Sequence, residues 1–579
     1  MNPENSDTPL RYAVDESPPH LLAAGLGLQV VVLIVAGVVL TPTVVLRAAG
    51  DPGGFLPWAV FAALLVSGAV TILQVRPLWH FGAGYVLFMG TSGAFIAVSI
   101  DAVKTGGMPL LVSVVVASSL IQFLFSSRLS TLRKVVTPTV GGTMIMLIAV
   151  TVFPVVLKLI NKTPPGVPAD SLAGPVLAIV TFAVILLVSL FATGMIRLWG
   201  PIVGVTVGST IAYAVGAFDL SAFHDAAWIG LPSVGWPGLD LTFSADFWWL
   251  LIPFCIVTVV GAIETYGDGV AVQRLSKRTR DPIDFRVVQG AVNADGLGNL
   301  LSGLAGTLPN TTYSTSLSVI GLTGVAARKV GLYGGLFMIL IGFSPKVSTL
   351  LTSIPSPIAG AYILVLLILL FMQGLRLITE DGFSYENGMV VCVSFWLAIG
   401  FQEQQIFPDY LPDWSRGLLN NGMSAGGIIA LLLSFLVSLR HGRTRHVEVG
   451  ARAASIPEVQ KFLAQIGNTV GWDRSAIRRL ELASEEAILF LIDRPATGGT
   501  PRERKLRVSA TTNQRRIEIE FLSGAAGTLE NAANEIDRNS APTIEQVGLR
   551  LLQGLTEHVR HDQFFGTDVL SVTVDSRPL

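Results

Sequence analysis

Apolar residues form long runs through the first 440 residues of the chain, and short polar segments separate one run from the next. A helix needs about 20 mostly apolar residues to cross the roughly 30 Å of hydrocarbon in a bilayer, and runs of this kind recur throughout. The fourteen predicted spans are 20–46, 54–75, 82–100, 108–126, 135–158, 173–192, 200–217, 247–270, 285–303, 310–323, 330–344, 357–377, 386–404 and 422–440. The pattern therefore predicts an α-helical polytopic membrane protein.

The composition changes near residue 440. Residues 445–579 hold 17 Lys/Arg and 18 Asp/Glu, although only 14% of the whole chain is charged. Short helical and strand-like patterns alternate there, which predicts a soluble α+β domain. The predicted domains are a cytoplasmic N-terminal tail 1–19, a fourteen-span transporter domain 20–440, a basic linker 441–446 and a soluble cytoplasmic α+β domain 447–579.

Basic residues gather in alternate loops of the predicted membrane region, at 128–134, 273–286, 327–329 and 440–446. Cytoplasmic loops carry the excess of Lys and Arg in membrane proteins, so this distribution places both termini in the cytoplasm. With the N-terminus in the cytoplasm, an even number of spans also returns the C-terminus to the cytoplasm. We therefore expect a multi-pass protein of the cell membrane (the inner or plasma membrane).

Composition and motifs exclude several classes of function. The net charge of −1 argues against a nucleic-acid partner. Cys255 and Cys392 both lie in apolar runs and provide neither a disulfide framework nor a cysteine-based metal site. The sequence contains no P-loop, nucleophile elbow or HExxH motif. We expect neither an enzyme nor an ATP-driven pump, and no cofactor apart from a coupling proton or Na⁺.

Two apolar regions are interrupted at membrane depth. Residues 85–96 read YVLFMGTSGAFI and residues 303–318 read GLAGTLPNTTYSTSLS, both rich in Gly, Ser and Thr. They belong to the third and tenth predicted spans, which are equivalent positions in a protein of two seven-span halves. Paired interruptions of this kind indicate a transporter site at the midplane. The alternative is that both segments are helix-packing faces built from small residues.

Two carboxylates lie inside one predicted span. Glu264 and Asp268 are four residues apart, so they share one face of a helix. Ionisable groups within a membrane are costly and usually functional, and such a pair can accept N–H donors, bind a cation or carry a proton. Alternatively, this face opens onto the cytoplasmic interface and is simply solvated. Gln29 in the first span is a further candidate, able to contact a ligand or only a neighbouring helix.

Four segments together resemble one known family. They are YAVDESPPHLLAAGLGLQ at 12–29, the segment 106–154, IETYGD at 263–268 and the segment 293–331, which contains PNTTY and LTGV in order. In these segments the chain is similar to the xanthine/uracil permeases, a nucleobase–cation symporter family that includes the nucleobase–ascorbate transporters. The resemblance implies fourteen spans as 7+7 inverted repeats, divided into a core and a gate domain. It also implies short strands in spans 3 and 10 that frame the substrate.

The resemblance assigns substrate contacts to individual positions. They are Glu264, which binds the base in the family, and Asp268, Gly37, Gly93, Ser314 and Thr315. Glu264 and Asp268 would also handle the coupling proton or Na⁺. Thr315 departs from the family, which usually has Glu or Gln at this position, and Gly93 replaces the phenylalanine of uracil permease. These two smaller side chains predict a pocket that differs from a uracil or xanthine site.

The C-terminal segment is similar to the histidine-kinase-like ATPase fold, in a degenerate form. Glu486 matches the general-base glutamate of that fold, but Phe490 stands where an asparagine would bind Mg²⁺. The glycine-rich nucleotide box is replaced by LSGAAGTLEN at 522–531. This pattern favours a regulatory or docking domain that contacts a cytoplasmic partner.

The leading interpretation is a secondary active transporter, a symporter that carries a nucleobase (purine, xanthine or uracil-like) with protons or Na⁺ by alternating access. Its expected partners are that small solute and the lipid bilayer, and the family resemblance adds a homodimer. Two alternatives remain open at this point. One is a sulfate-permease-like anion transporter, and the other is a membrane sensor that signals through its C-terminal domain.

Overall fold

The computed structural model describes most of the chain. The described residues are 10–126, 137–168, 171–232, 234–278, 283–380, 384–411, 419, 421–438, 445–492, 504–512, 516–525, 552, 555–556, 558–564 and 567–576. The predicted basic loop 128–134, residues 1–9 of the N-terminal tail and residues 441–444 of the linker lie outside this set. So do residues 526–531 of the altered nucleotide box.

Among its described residues, the first half of the membrane region contains seven α-helices and one short strand. They are α1 (His20–Ala49), α2 (Leu56–Val75), β1 (Phe88–Thr91), α3 (Ile96–Ser126), α4 (Pro138–Ile160), α5 (Ala173–Phe191), α6 (Gly194–Ala214) and α7 (Ser221–Asp225). A short 3₁₀ turn, Gly93–Phe95, joins β1 to α3. Helix α3 covers two predicted spans, and non-helical backbone at Gly106 and Gly107 kinks it between them.

The described residues of the second half form one strand and eight α-helices. They are α8 (Ala245–Leu275), α9 (Phe285–Ala305), β2 (Asn310–Tyr313), α10 (Thr315–Thr323), α11 (Arg328–Gly342), α12 (Pro345–Thr352), α13 (Ser356–Glu380), α14 (Tyr385–Gln402) and α15 (Gly422–Ser438). In both halves a strand of four residues interrupts the helical chain where the sequence is rich in Gly, Ser and Thr.

Eight helices in the described part of the chain are long and apolar enough to span a membrane. The count becomes nine if α11 and α12, which meet at a bend of 83°, form one broken span. The protein is therefore a helical membrane protein. The other predicted spans correspond to the second part of the kinked helix α3, to β2 with the short helix α10, to α14 and α15, which fall short in length or in apolar character, and to the polar helix α9. The count of fourteen therefore stays a prediction.

The two interrupted segments meet in a small sheet. Strands β1 and β2 pair antiparallel, with Phe88 opposite Tyr313 and Thr91 opposite Asn310. The prediction of short strands in these two segments is confirmed. Exposed backbone polar groups are very costly in hydrocarbon, and pairing the strands satisfies them inside the protein. Because the strands are antiparallel, the helices that follow them, α3 and the helix that begins at Thr315, start at opposite ends of the pair.

The membrane helices pack in two groups. The first group contains α1, α2, α3, α8, α10 and α11 around the paired strands, and α9 packs against α3. The second group contains α4, α5, α6, α13 and α14. Contacts within each group are more extensive than those between the groups, where α8 and α3 meet α4. The boundary between the groups passes beside the strands.

Helices α4 and α13 cross at a pair of glycines. A Cβ atom added to Gly374 would lie 2.6 Å from the backbone oxygen of Gly142, and one added to Gly142 would lie 2.5 Å from that of Gly374. Backbones can approach this closely only where side chains are absent, as is typical of helix pairs in membranes. This crossing fixes the height and rotation of α13 against α4.

We expect Gly374→Ala to destabilise the purified protein by about 1–3 kcal/mol, because the added methyl group overlaps a backbone atom that cannot rotate away. The measurement is thermal unfolding in detergent. Gly25→Ala in α1 is the matched control, since no atom lies within 4 Å of its Cβ position. That control should leave the melting temperature unchanged or raise it slightly. Equal melting of both variants would contradict the tight crossing.

An N-terminal segment before α1 is tied to the first helix group. Tyr12 forms a parallel bridge with Val325, and the carboxylate of Glu16 accepts hydrogen bonds of 2.6 and 2.9 Å from the guanidinium of Arg278. These bonds hold the pKa of Glu16 below its usual value. The segment thus connects the end of α8 to the loop before α11.

The contacts divide the chain into two compact units, of which the first comprises 1–127, 138–278 and 287–430 and the second includes 431–579. In the second unit five antiparallel strands pair in the order β3-β4-β5-β7-β6. The elements are β3 (Arg445–Gly450), α16 (Ile456–Val470), α17 (Arg474–Ile492), β4 (Arg504–Thr512), β5 (Arg516–Ala525), β6 (His558–Phe564) and β7 (Thr567–Asp575). Both helices contribute apolar residues to one core with the sheet, and Phe490 is part of that core.

Candidate functional site

Helix α8 carries the predicted carboxylates. Its N-cap is Ser244, whose hydroxyl accepts a hydrogen bond of 3.4 Å from the amide of Phe247, and an apolar run then continues to Gly261. Glu264 and Asp268 follow on one face, one turn apart. Asp268 is buried, whereas Glu264 keeps partial access to solvent. The two residues therefore differ in environment, and Glu264 is the less buried of the two.

Asp268 is held by hydroxyl groups of the segment that contains β2. Thr312 Oγ1 donates a hydrogen bond of 2.6 Å to one carboxylate oxygen, and Ser314 Oγ donates one of 2.8 Å to the other. Thr265 of α8 lies 3.4 Å from Thr312, oxygen to oxygen. Hydrogen bonds to a charged group are the stronger kind, so this pair ties the end of β2 to α8.

Glu264 faces two further polar side chains. The carboxamide of Gln373, on α13, is within hydrogen-bonding reach of its carboxylate, and Thr311 of β2 also lies close. Thr311 Oγ1 is buried but makes no well-formed hydrogen bond to any described residue. Glu264 thus lies where α8, β2 and a helix of the second group approach one another.

A third buried carboxylate, Asp295 of α9, lies behind the strands. Gln122 Nε2 of α3 donates a hydrogen bond of 2.8 Å to it, and Gln122 Oε1 accepts one of 2.8 Å from Asn299. Asn299 in turn accepts a hydrogen bond of 2.6 Å from the backbone amide of Asn310 at the start of β2. The sequence shows only that α9 is too polar for a lipid-facing helix. It does not show that these side chains form one buried network behind the site.

Two tyrosines close the space next to β1. The Tyr313 hydroxyl donates a hydrogen bond of 2.8 Å to the backbone oxygen of Thr91. A Cβ atom at Gly37 would lie 3.0 Å from the Tyr313 hydroxyl and 3.2 Å from that of Tyr362 on α13. The predicted site residue Gly37 is therefore a point of close approach, which a larger side chain would obstruct.

Open space remains beside the carboxylates. A Cβ atom at Gly93, in the turn after β1, would meet no atom within 4 Å, and the same holds for Gly261. Gly261 lies three residues before Glu264, on the same side of α8. A space bordered by a carboxylate and by bare backbone suits a small flat solute that donates hydrogen bonds.

The structure brings together most of the predicted site residues, but not all of them. Ser314 and Thr315 lie where β2 passes into α10, and Thr315 keeps only partial access to solvent. Gln29 lies about 12 Å from Gly37 along the axis of α1 and makes no hydrogen bond among the described residues. No contact in the described structure links Gln29 to the carboxylates.

The arrangement provides hydrogen-bond acceptors at Glu264 and neutral hydroxyl groups around Asp268. A carboxylate accepts N–H donors, and a carboxyl group that takes up a proton can carry it. In the described part of the chain no three His, Cys, Asp or Glu side chains come together to hold a metal ion.

Comparison with known proteins places this site in a family context. The xanthine/uracil permease model, described as a permease family, matches residues 23–407. The chain is 26% identical to xanthine permease XanP of Escherichia coli, over 75% of this chain and 96% of that protein. It is 26% identical to uric acid permease PucK of Bacillus subtilis, over 70% of this chain and 94% of that protein.

Among solved structures, the overall structure of SLC26A9 matches this chain with a TM-score of 0.48 and 14% identity. The match covers 74% of this chain and 67% of that one. The sequence relatives are permeases and not enzymes. The family model covers the paired strands, α8 and the helices on both sides of the site. The chain therefore belongs to the xanthine/uracil permease family of membrane transporters.

Proposed function

We propose that the chain is a secondary active transporter that carries a nucleobase, a purine such as xanthine or uric acid, across the cell membrane together with protons or Na⁺. One observation carries this proposal. Glu264, a partly buried residue, lies at the boundary between two groups of helices, near unfilled space at Gly93 and Gly261. The names of the relatives, xanthine and uric acid permeases, give the class of solute.

The proposed transport cycle uses the division of the helices. The first group acts as the core domain and holds the solute through Glu264, while the second group acts as the gate domain. Glu264 accepts the N–H groups of the base, and Asp268 holds or orients the coupling charge through its bonds to Thr312 and Ser314. Movement of one group against the other then exposes the site to each side in turn.

We expect the purified protein in liposomes to accumulate radiolabelled xanthine or uric acid when an inward proton or Na⁺ gradient is imposed. Uptake should fall when excess unlabelled purine is added, because both compounds compete for the same carboxylate. Sulfate and bicarbonate are the control solutes, since neither carries an N–H group that the carboxylate of Glu264 could accept. Uptake of sulfate without uptake of any base would contradict the proposal and favour an anion transporter.

We also propose that residues 447–579 form a cytoplasmic regulatory domain and that both termini are cytoplasmic. Phe490 is buried in the core of the second unit, so that position offers no ligand for Mg²⁺. A domain of this kind suits docking better than ATP hydrolysis. Removal of residues 445–579 tests the assignment. If the truncated protein still takes up the base but its uptake is no longer regulated in the same way, the chain is a transporter. If truncation abolishes signalling and the full chain shows no transport, the chain is a sensor.

A further inference from the structure

Gln373 makes a polar contact that crosses the boundary between the two helix groups. It lies on α13 in the second group, yet its carboxamide is within hydrogen-bonding reach of Glu264 on α8 in the first. Its surroundings in the sequence, ILLFMQGL, are otherwise apolar. A polar side chain in apolar surroundings costs free energy unless it has a hydrogen-bonding partner. The proximity of Gln373 to Glu264 therefore suggests that the amide has a function at the site.

The position of Gln373 is fixed by its neighbours on α13. Gly374, the next residue, packs against the backbone of Gly142 and leaves α13 no freedom to slide. Tyr362 lies about three turns earlier on the same face and approaches Gly37. The same face of α13 thus meets the first group at two heights, with Gln373 at the level of the carboxylate.

The chemistry of the two side chains is complementary to a ring that has an N–H next to a carbonyl group. A carboxylate only accepts hydrogen bonds, whereas a carboxamide both donates and accepts. Glu264 can take the ring N–H while the Gln373 amide donates to the neighbouring carbonyl oxygen. In the absence of a solute, the Gln373 amide is placed to occupy Glu264 itself.

We propose that Gln373 is a specificity-determining residue that recognises a ring carbonyl group and makes the site selective for oxopurines. The inference rests on the proposed nucleobase function and adds to it the group that is recognised from the gate side. Thr315, on the side of the strands, carries a short hydroxyl side chain and no amide. Gln373 supplies the amide from the opposite helix. Binding of an oxopurine then bridges the two helix groups through one ligand.

The test is equilibrium binding of xanthine, hypoxanthine and unsubstituted purine to the purified full-length protein. These compounds carry two, one and no ring carbonyl groups. Gln373→Met keeps the length of the side chain and removes its hydrogen bonds. We expect the Kd for xanthine to rise about tenfold, as for loss of one hydrogen bond, and the Kd for purine to stay within about twofold. Gln405→Met, at an exposed position, should change neither value.

Two results would overturn the inference while leaving the proposed function intact. Equal weakening for xanthine and purine would mean that Gln373 only packs, and unchanged xanthine binding would mean that it does not touch the solute. Gln373→Asn keeps the amide on a shorter stem, so a partial loss confined to the oxopurines should follow even where Gln373→Met folds poorly. If the unmodified protein binds none of the three compounds, the nucleobase function itself is wrong.

Discussion

Replacement of Glu264 by glutamine should reduce purine uptake by about 100-fold or more. The substitution keeps the size of the side chain but removes the negative charge and turns one acceptor into a donor that faces the N–H of the base. Hydrogen bonds to charged groups contribute about 1.5–3 kcal/mol each, and two of them account for a loss of this size. The measurement is initial uptake of radiolabelled xanthine by cells that produce the variant at the normal level.

Glu403→Gln is the matched control for this experiment, because Glu403 is exposed beyond the end of α14 and remote from the carboxylate cluster in sequence. That variant should transport normally. Binding of xanthine to purified Glu264→Gln protein separates a loss of recognition from a loss of folding. If uptake by Glu264→Gln and its dependence on external pH both stayed intact, Glu264 could not be the residue that binds the base.

Asn299→Ala should destabilise the membrane unit by about 2–5 kcal/mol. The side chain of Asn299 accepts a hydrogen bond from the backbone amide of Asn310 and donates one to the side-chain oxygen of Gln122. Its removal leaves that buried amide and that buried oxygen without these partners. Each unpaired group costs about 1–3 kcal/mol. The start of β2 should then loosen, which reduces transport as well as the melting temperature.

Asn293→Ala on the same helix is the control for Asn299→Ala. Asn293 is only partly buried, and its hydrogen bond of 2.9 Å to the backbone oxygen of His80 is exposed, so water can replace that partner. Its loss should lower the melting temperature far less. If Asn299→Ala and Asn293→Ala unfolded at the same temperature, the buried network would not be what holds β2 in place.

Local patterns predicted the features that depend on residues close together in the chain. Glu264 and Asp268 share one face of α8 because helical spacing alone dictates it. The interruptions at 85–96 and 303–318 predicted breaks in the helices, and the family resemblance implied strands there, which the structure pairs. The non-helical backbone at Gly106 and Gly107 breaks α3 between the two predicted spans 82–100 and 108–126.

Features that depend on distant residues escaped the sequence pattern. Gln373 sits in an apolar run more than one hundred residues after Glu264, and nothing in its local sequence identifies its partner. Gln122 looks like an ordinary polar residue near the end of a span, yet it links Asp295 to Asn299. Gln29, a reasonable candidate from its apolar surroundings, has no described contact with the carboxylates.

By itself the sequence determined that the protein crosses a membrane many times, that it belongs to a permease family and that α8 carries two carboxylates one turn apart. These follow from hydrophobicity, periodicity and local motifs, all of which are properties of neighbouring residues. Only the tertiary structure decided what surrounds Glu264: the amide of Gln373 from α13, the hydroxyl groups of the β2 segment and the open space beside Gly93. The physical reason is that hydrogen bonds between helices depend on packing, which brings residues together across hundreds of positions without leaving a mark in the local pattern.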